Sequence, residues 1–301
     1  MSISTSSYAP VRSAVWQRAA DYLALSKPKI MLMELVTVAV AAVVAGSGAL
    51  DFGLLAHTLL GTFLVAAGAS AWNQWLEPRS DALMSRTADR PLPAGRMTSR
   101  EVALFGAAAA LTGVAYLAVF VNPPTAAIGA LTWVIYVGVY TPLKSRSTAN
   151  TAVGAVSGAL PILMGWTAVG GSLDLGAATL FTIVFLWQFP HVMAVAWIYR
   201  REYGAAGLKM LPVVDPAGRR AGVQAVATAT VLVPVSLLPT WLGFAGPTYL
   251  VWALALGSWQ LYCAVAFRLR RNDRTARALF RATLIYLPAL LSWLAAGRLQ
   301  S

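Results

Sequence analysis

Nine apolar stretches, each of about 20 residues, follow one another along this chain of 301 residues. An apolar stretch of that length can cross the hydrocarbon core of a bilayer as an α-helix. A helix is required because backbone groups without hydrogen bonds are very costly in lipid. Charged residues make up only 11% of the chain, whereas soluble domains contain roughly 25%. We therefore predict an all-α, polytopic membrane protein with nine transmembrane helices.

The predicted spans are joined in several places by turns of only a few residues. They cover residues 29–49, 53–75, 101–121, 124–141, 150–169, 174–198, 222–242, 247–267 and 278–297. The first span is long enough to remain in the membrane, so we predict no cleavable signal peptide. Residues 1–26 are expected to form a cytoplasmic N-terminal segment, and residues 27–301 a single nine-helix domain.

The positive charges lie almost entirely on one side of this map. Of the 23 lysines and arginines, only Arg298 falls on the other side. Because such residues accumulate in cytoplasmic loops, we predict a cytoplasmic N-terminus, cytoplasmic long loops and a periplasmic or extracellular C-terminus. The net charge of +12 would suggest nucleic acid as the partner of a soluble protein. Here the charge is expected to face the anionic lipid of the cell inner membrane instead.

A polar stretch from Asn73 to Arg100 follows the second span and precedes the third. Its residues Asn73, Glu77 and Asp81 are four positions apart, a spacing that places them on roughly one face of a helix. Pro78 lies among them, and a proline ring clashes with the preceding helical turn. We therefore expect Asn73 and Glu77 on the last turn of a helix and Asp81 on a kinked continuation or loop.

This stretch has the residue types of a site for a metal ion and a phosphate group. Grouped carboxylate and amide oxygens suit Mg²⁺, which prefers oxygen ligands and often shares them with substrate phosphates. Arg86 and Arg90 suit the phosphate itself, because a guanidinium group can bind two oxygens at once. The alternative is a solvated loop whose charges serve only solubility. That alternative explains single residues but not the whole pattern at a membrane boundary.

Two further segments on the same side of the membrane carry similar residues. After the fourth span, Tyr140 and Lys144 are spaced to bring a phenol and an ammonium group together. After the sixth span, Glu202 lies among tyrosines and cations, Tyr199 included. Each segment alone also fits an ordinary membrane interface, where aromatic side chains anchor helices and lysine reaches toward the head groups.

Taken together, these spacings resemble a known signature. The segment NQWLEPRSDALMSRTADRPLPAGR, Asn73–Arg96, is similar to the Asn-x-x-x-(Asp/Glu)-x-x-x-Asp and Arg-Thr-x-x-Arg-Pro motifs of the UbiA-like superfamily of intramembrane prenyltransferases. Three more strings look like those of one branch, the protohaem IX farnesyltransferase (haem O synthase) family: KPKIMLMELVT, YTPLKSRSTANTAVGAVSGALPILMGW and WQFPHVMAVAWIYRREYGAAGLKMLPV. The resemblance extends from about Lys27 to the ninth span.

The resemblance implies both a fold and an activity. The nine helices would surround one central cavity that opens toward lipid, with cytoplasmic loops capping its mouth. Members of the family join the farnesyl group of farnesyl diphosphate to a vinyl group of haem B, with addition of water, and so form haem O. Their cofactor is Mg²⁺, which holds the diphosphate. Since haem O serves haem-copper oxidase biogenesis, association with haem A synthase or with terminal-oxidase assembly is also considered.

The resemblance further implies roles for individual residues. Asn73, Glu77 and Asp81 would hold the metal and, with Lys144, form the catalytic group. The substrate-binding residues would be Arg86, Arg90, Tyr140, Arg146, His191, Tyr199, Glu202 and Lys209. The second acidic motif departs from the wider superfamily, because Ile198 stands where many members have an aspartate and only Glu202 is acidic. A second bound Mg²⁺ is therefore in doubt.

His191, Glu34 and His57 are ionisable residues inside predicted spans. His191 is about 12 Å below Tyr199 at the rise of an α-helix, a depth at which an ionisable group is a candidate functional residue. A neutral imidazole is also a common ligand of haem iron. The alternative for His191 is a hydrogen bond to a neighbouring helix. Glu34 and His57 lie nearer the ends of their spans and are expected to be structural.

Other functions fit part of this pattern. A prenyltransferase that acts on a quinone precursor or a chlorophyllide would need the same diphosphate site. A transporter usually places its charged groups near the bilayer midplane, whereas these acids lie at one interface. A structural assembly factor leaves the acidic pattern unexplained. Farnesyl transfer to haem is therefore the favoured hypothesis.

Overall fold

Helices account for all of the regular secondary structure in residues 11–46 and 51–299, the part of the chain that the computed structural model describes. In chain order they are α1 Val11–Leu25, α2 Pro28–Ala45, α3 Phe52–Leu76, α4 Pro78–Ala82, α5 Ser99–Phe120, α6 Pro123–Trp133, α7 Thr141–Leu143, α8 Asn150–Ala168, α9 Leu175–Ile198, α10 Arg200–Ala205, α11 Leu211–Val214, α12 Arg219–Val235, α13 Leu238–Trp241, α14 Pro247–Arg270 and α15 Asp273–Leu299. A π-helical segment, Val134–Tyr140, connects α6 directly to α7.

Nine helical segments of the described chain are long and apolar enough to cross a membrane, which confirms the predicted number of spans. They are Pro28–Ala45, Phe52–Leu76, Ser99–Phe120, Pro123–Leu143, Asn150–Ala168, Leu175–Ile198, Arg219–Trp241, Pro247–Arg270 and Asp273–Leu299. Most limits agree with the prediction to within three residues. The last helix begins five residues before the predicted start of its span. Its first turns are polar, so hydropathy does not include them. The predicted end of the first span, residues 47–49, lies outside the described residues.

Side-chain caps mark where several spans begin. The first backbone N–H groups of a helix have no partner within the helix, and an acidic or hydroxyl side chain can accept their hydrogen bonds. Asp51 does so for α3, Asp174 for α9 and Asn122 for α6. Thr98 and Glu101 form a reciprocal capping box at α5. The helix limits therefore follow from local sequence, which is why hydropathy predicts them well.

Glycines allow two pairs of spans to approach closely. A β-carbon on Gly68 of α3 would lie 2.6 Å from the backbone nitrogen of Ala110 in α5. On Gly165 of α8 it would collide with the carbonyl oxygen of Val38 in α2. Helices in a membrane associate through close van der Waals packing, so small residues at such crossings stabilise the bundle.

The apolar core forms two clusters at the end of the bundle opposite the long loops. There α2, α8, α9, α12, α14 and α15 pack around one cluster that includes Ile162 and Leu180, and α3, α5, α6 and α8 pack around another that includes Leu117 and Met164. At the loop end, one cluster joins α9, α12, α14 and α15, while a separate one joins α1, α3 and α5. The polar residues of the loop end lie between these two groups of helices.

Helix α1 was not predicted. The sequence indicates only a cytoplasmic segment before residue 27. Arg18 donates a hydrogen bond to the carbonyl oxygen of Arg96 at 2.7 Å and pairs with Glu101. Arg96 in turn donates to Asp21 at 2.8 Å. Helix α1 is thereby attached to the long loop that follows α4.

Candidate active site

The three predicted metal-binding residues lie at a break between α3 and α4. Helix α3 ends at Leu76, Glu77 is its C-cap, and Pro78 starts the short helix α4. The backbone N–H of Asp81 still donates to the Glu77 carbonyl oxygen at 2.9 Å, so α4 continues α3 with a kink. This confirms the kinked continuation that the spacing and Pro78 predict. All three polar side chains point into the same site as a result.

Each of these three residues contacts a different cation. The Lys27 ammonium donates to Oδ1 of Asn73 at 2.5 Å. Lys144 donates to Oε2 of Glu77 at 2.8 Å. Arg90 donates to Oδ2 of Asp81 at 2.6 Å, and the Asn73 amide donates to Oε2 of Glu77 at 2.7 Å. With three cations around two carboxylates, the site carries an excess positive charge.

The oxygens left over fit a divalent cation. Within the described residues, Oε1 of Glu77 and Oδ1 of Asp81 accept no hydrogen bond. No cluster of three or more His, Cys, Asp or Glu side chains occurs in that part of the chain, so the protein's donor set is two carboxylates and the Asn73 amide. So small a set suits Mg²⁺, which keeps other positions for water and substrate phosphate oxygens.

The π-helical segment supplies one wall of the site. It directs Tyr136 and Tyr140 to the same side, with ring centroids 5.3 Å apart. The Lys144 ammonium lies 4.7 Å from the centroid of the Tyr140 ring, which confirms that these two residues meet. Gly154 of α8 faces the Tyr140 ring so closely that a β-carbon there would be 2.7 Å away. π-helical turns are frequent at functional sites because they change which side chains point inward.

The two lysines of the site have opposite pKa shifts. Burial, together with the nearby charges of Arg90 and Lys144, lowers the pKa of Lys27 to about 7. Burial also opposes the charged form of Lys144, but Tyr140 and Glu77 outweigh it and raise the pKa of Lys144 above its ordinary value. Of the two lysines, Lys144 is therefore the one that keeps its proton to higher pH.

A second group of predicted residues joins the two long loops. Arg86 donates to the Tyr203 hydroxyl at 2.8 Å, and its guanidinium carbon lies 5.5 Å from the Tyr199 ring centroid. Oε2 of Glu202 accepts hydrogen bonds from the Ser85 backbone at 2.8 Å and from the Ser85 hydroxyl at 2.9 Å. The structure therefore brings Arg86, Tyr199 and Glu202 together where the loop after α4 meets α10. Their roles with substrate stay predictions.

Two other predicted residues are exposed near the place where the loop after α4 meets α10. Lys209 is tied to the site through its backbone, since its N–H donates to the Lys144 carbonyl oxygen at 2.7 Å. Its side chain, like that of Arg146, is exposed to solvent. The structure does not bring either side chain into the cluster around Glu77 and Asp81, and their binding roles stay predictions.

His191 lies deeper, between α9 and α15. Its Nδ1 is 3.0 Å from the Thr283 hydroxyl oxygen, and its ring stacks on Trp187 and tilts against Phe280. The Thr283 hydroxyl oxygen is also 2.7 Å from the Phe280 carbonyl oxygen, and when the hydroxyl donates its proton there, it accepts from Nδ1–H of His191. This tautomer leaves Nε2 with a free lone pair. The structure thus contains the predicted alternative, a hydrogen bond from His191 to a neighbouring helix. It also leaves Nε2 available to bind a ligand.

The sequence prediction omits several residues of the site. Lys27 contacts Asn73 and lies 3.4 Å from the Tyr136 hydroxyl, while Thr141 accepts from the Asn73 amide at 3.1 Å. Lys27 also has a left-handed backbone with φ of 52°, which is costly for a residue with a side chain and is concentrated at functional sites. The sequence signal that could have identified Lys27 is its position immediately before a proline at the start of a span.

The fold and the site together define a class of protein. In the described part of the chain, nine helices of membrane-spanning length place two carboxylates with unused oxygens, and three cations beside them, at one end of the bundle. Such a site is suited to a divalent cation and a diphosphate at the membrane surface. These are the features of an intramembrane prenyltransferase.

Residues 35–294 match the UbiA prenyltransferase family, and the chain belongs to that family. Among curated proteins, it is 41% identical over 279 residues to the Protoheme IX farnesyltransferase of Solibacter usitatus, covering 90% of this chain and 96% of that protein. It is 42% identical over 290 residues to the Protoheme IX farnesyltransferase of Anaeromyxobacter sp., covering 96% and 97%.

Solved structures confirm the fold. A structure of Digeranylgeranylglyceryl phosphate synthase matches 95% of this chain and 100% of its own, with a TM-score of 0.80 and 18% identity. A UbiA homologue from Archaeoglobus fulgidus, bound to DMAPP and Mg²⁺, matches 93% of this chain and 99% of its own, with a TM-score of 0.66 and 18% identity. The sequence prediction of a nine-helix UbiA-type fold is confirmed.

Proposed function

We propose that this protein transfers the farnesyl group of farnesyl diphosphate to a vinyl group of haem B and forms haem O. The observation that carries the proposal is the identity of about 40% to proteins named Protoheme IX farnesyltransferase over nearly the whole chain. The geometry of the site supports it, since carboxylates and cations for a diphosphate lie above a deeper histidine that can meet a porphyrin.

Glu77 and Asp81 hold Mg²⁺ in this proposal through their unpaired oxygens, and Asn73 through the amide oxygen that also accepts a hydrogen bond from Lys27. When bound, the ion neutralises charge on the diphosphate leaving group and so favours cleavage of the allylic C–O bond. Lys27, Lys144 and Arg90 surround the same position, and their charges stabilise the departing diphosphate. Arg86, Tyr140, Arg146, Tyr199, Glu202 and Lys209 are assigned to the mouth of this subsite.

The apolar helices contribute by excluding water from the farnesyl chain. An allylic cation is captured rapidly by any water that reaches it, so the chain must leave its diphosphate in a dry environment. The apolar helices that pack together at the far end of the bundle exclude water from that side. The haem is assigned to the α9–α15 side, where Nε2 of His191 is free to bind iron.

Haem analysis tests this function. Expression in membranes that contain haem B and farnesyl diphosphate should produce a haem with the mass of haem O, detected by mass spectrometry of extracted haems. Membranes without the protein provide the control. A prenylated quinone precursor or chlorophyllide as product, with haem B unchanged, would contradict the haem assignment and favour the alternative acceptor.

We also propose that the protein lies in the cell inner membrane with its long loops in the cytoplasm, where haem O passes to haem A synthase or terminal-oxidase assembly. The lysines and arginines at the loop end support this orientation. Single cysteines at the exposed positions Ala88 and Ala217 should react with a membrane-impermeant label only from the cytoplasmic side, and one at Ser172 only from the opposite side. The background is Cys263→Ala, which removes a buried thiol. Labelling of Ala88 and Ser172 positions from one side would refute the orientation.

A further inference from the structure

Glu34 is a carboxylate inside the first span that the diphosphate site does not use. It lies seven residues after Lys27, a spacing that returns to the same face of a helix about 10 Å deeper. On the same stripe, Met31 and Val38 are only 3% and 0% exposed, whereas Ile30, one turn nearer the start of the helix, is 65% exposed. The opposite stripe, with Leu32 at 63%, faces outward. Since the Lys27 side chain points into the site, Glu34 points inward beneath it.

The carboxylate of Glu34 has no protein partner. Among the residues that the structure describes, none donates a hydrogen bond to it or forms an ion pair with it, although it is within electrostatic range of Lys27 and Tyr136. It is half-buried, so the protein does not enclose the side chain completely. A carboxylate at such a position is very unfavourable unless water or a ligand binds it. The position indicates a role toward a bound group.

The proposed reaction has a step that needs such a group. In the first step the π electrons of the haem vinyl bond attack C1 of the farnesyl chain, the C1–O bond breaks, and its electron pair leaves with the diphosphate. The vinyl carbon next to the porphyrin ring is left as a cation. An oxygen lone pair of one water then bonds to that carbon, and the water must lose a proton for the hydroxyl group of haem O to form.

We infer that Glu34 is the base that binds this water and accepts its proton, an inference that rests on the proposed function. Glu77 and Asp81 are already paired with Lys144 and Arg90 at the diphosphate. Nδ1 of His191 is bonded to Thr283, and its other nitrogen faces the iron in the proposed complex. Glu34 is the inward carboxylate about 10 Å deeper than the charged site, a distance that the vinyl group and one bound water can span. The protonated acid later releases its proton to solvent.

The two steps can be measured separately. In Glu34→Gln, which has nearly the same shape, diphosphate release should stay within about threefold of wild type. The cation then loses a proton from its own chain instead of gaining water, so a farnesylated haem lighter by one water should appear. We expect the ratio of this product to haem O to rise at least about tenfold, or about 1.4 kcal/mol in relative barrier. Glu34→Asp should restore part of the hydroxylated product.

Asp51→Asn provides a matched control, because Asp51 is an exposed cap at the start of α3 and asparagine caps equally well. It should give the wild-type product ratio. A wild-type ratio in Glu34→Gln would overturn the inference and leave farnesyl transfer to haem intact. Loss of diphosphate release in Glu34→Gln would also overturn it, because the residue would then act in the first step or in packing. Absence of any farnesylated haem from the wild type would refute the proposed function itself.

Discussion

Asp81→Asn is expected to reduce haem O production at least a hundredfold, about 2.7 kcal/mol of transition-state stabilisation. Asparagine keeps the shape of the side chain but removes the charge that Mg²⁺ and Arg90 both use. The carboxylate is only 2% exposed and pairs with Arg90 at 2.6 Å. Its loss weakens the metal position and frees Arg90 to move from the diphosphate. Both changes act on the departure of the leaving group, so turnover should fall more than haem binding.

Asp89→Asn is the matched control, since Asp89 lies in the same loop but is 98% exposed. It should leave turnover within about twofold of wild type, because exposed ion pairs contribute little. Thermal unfolding in detergent should be compared for both variants, since Asp81 is buried and its neighbour Thr87 bonds to its carbonyl oxygen. Turnover near wild type in folded Asp81→Asn would rule out this residue as a metal ligand. A raised Mg²⁺ requirement in that variant would support the assignment.

The fold could be predicted from the sequence because its determinants are local. Apolar stretches of membrane-spanning length define the nine helices, and capping residues such as Asp51 and Asp174 fix where they begin. The kink between α3 and α4 follows from Pro78 in the same way. The cluster of Asn73, Glu77 and Asp81 is also a local property, since all three belong to one helix and its continuation.

The partners of these residues could not be predicted, because they come from distant parts of the chain. Lys27 meets Asn73 across 46 positions and Lys144 meets Glu77 across 67. The contact of Glu202 with Ser85, 117 positions away, depends on how α10 docks against the first long loop. The resemblance describes Glu202 as the remaining acid of the second acidic motif. The structure adds that one of its oxygens already joins the two loops.

Removing the side chain of His191 is expected to weaken haem binding about thirtyfold, or about 2 kcal/mol, and to shift the Soret band. In the proposed complex, Nε2 binds the iron and Thr283 holds Nδ1–H, an arrangement that fixes the ring and increases the basicity of the ligand. Farnesyl diphosphate binding should be unchanged in His191→Ala, because the diphosphate lies at the charged loop end and His191 about two helical turns deeper. Both ligands should be titrated on the same purified variant.

Two further variants separate ligation from packing. Thr283→Val removes the acceptor for Nδ1–H but keeps the imidazole, so haem affinity should fall about tenfold, less than in His191→Ala. His57→Ala is the matched histidine control, since its Nδ1 lies 2.7 Å from the Tyr116 hydroxyl in another pair of spans. It should leave the haem spectrum unchanged. If His191→Ala kept the wild-type Soret band and normal turnover, the role of His191 would be limited to its hydrogen bond with Thr283. If His191→Ala weakened the binding of both haem and farnesyl diphosphate, His191 would instead act by packing α9 against α15. Loss of an iron ligand alone should weaken only haem binding.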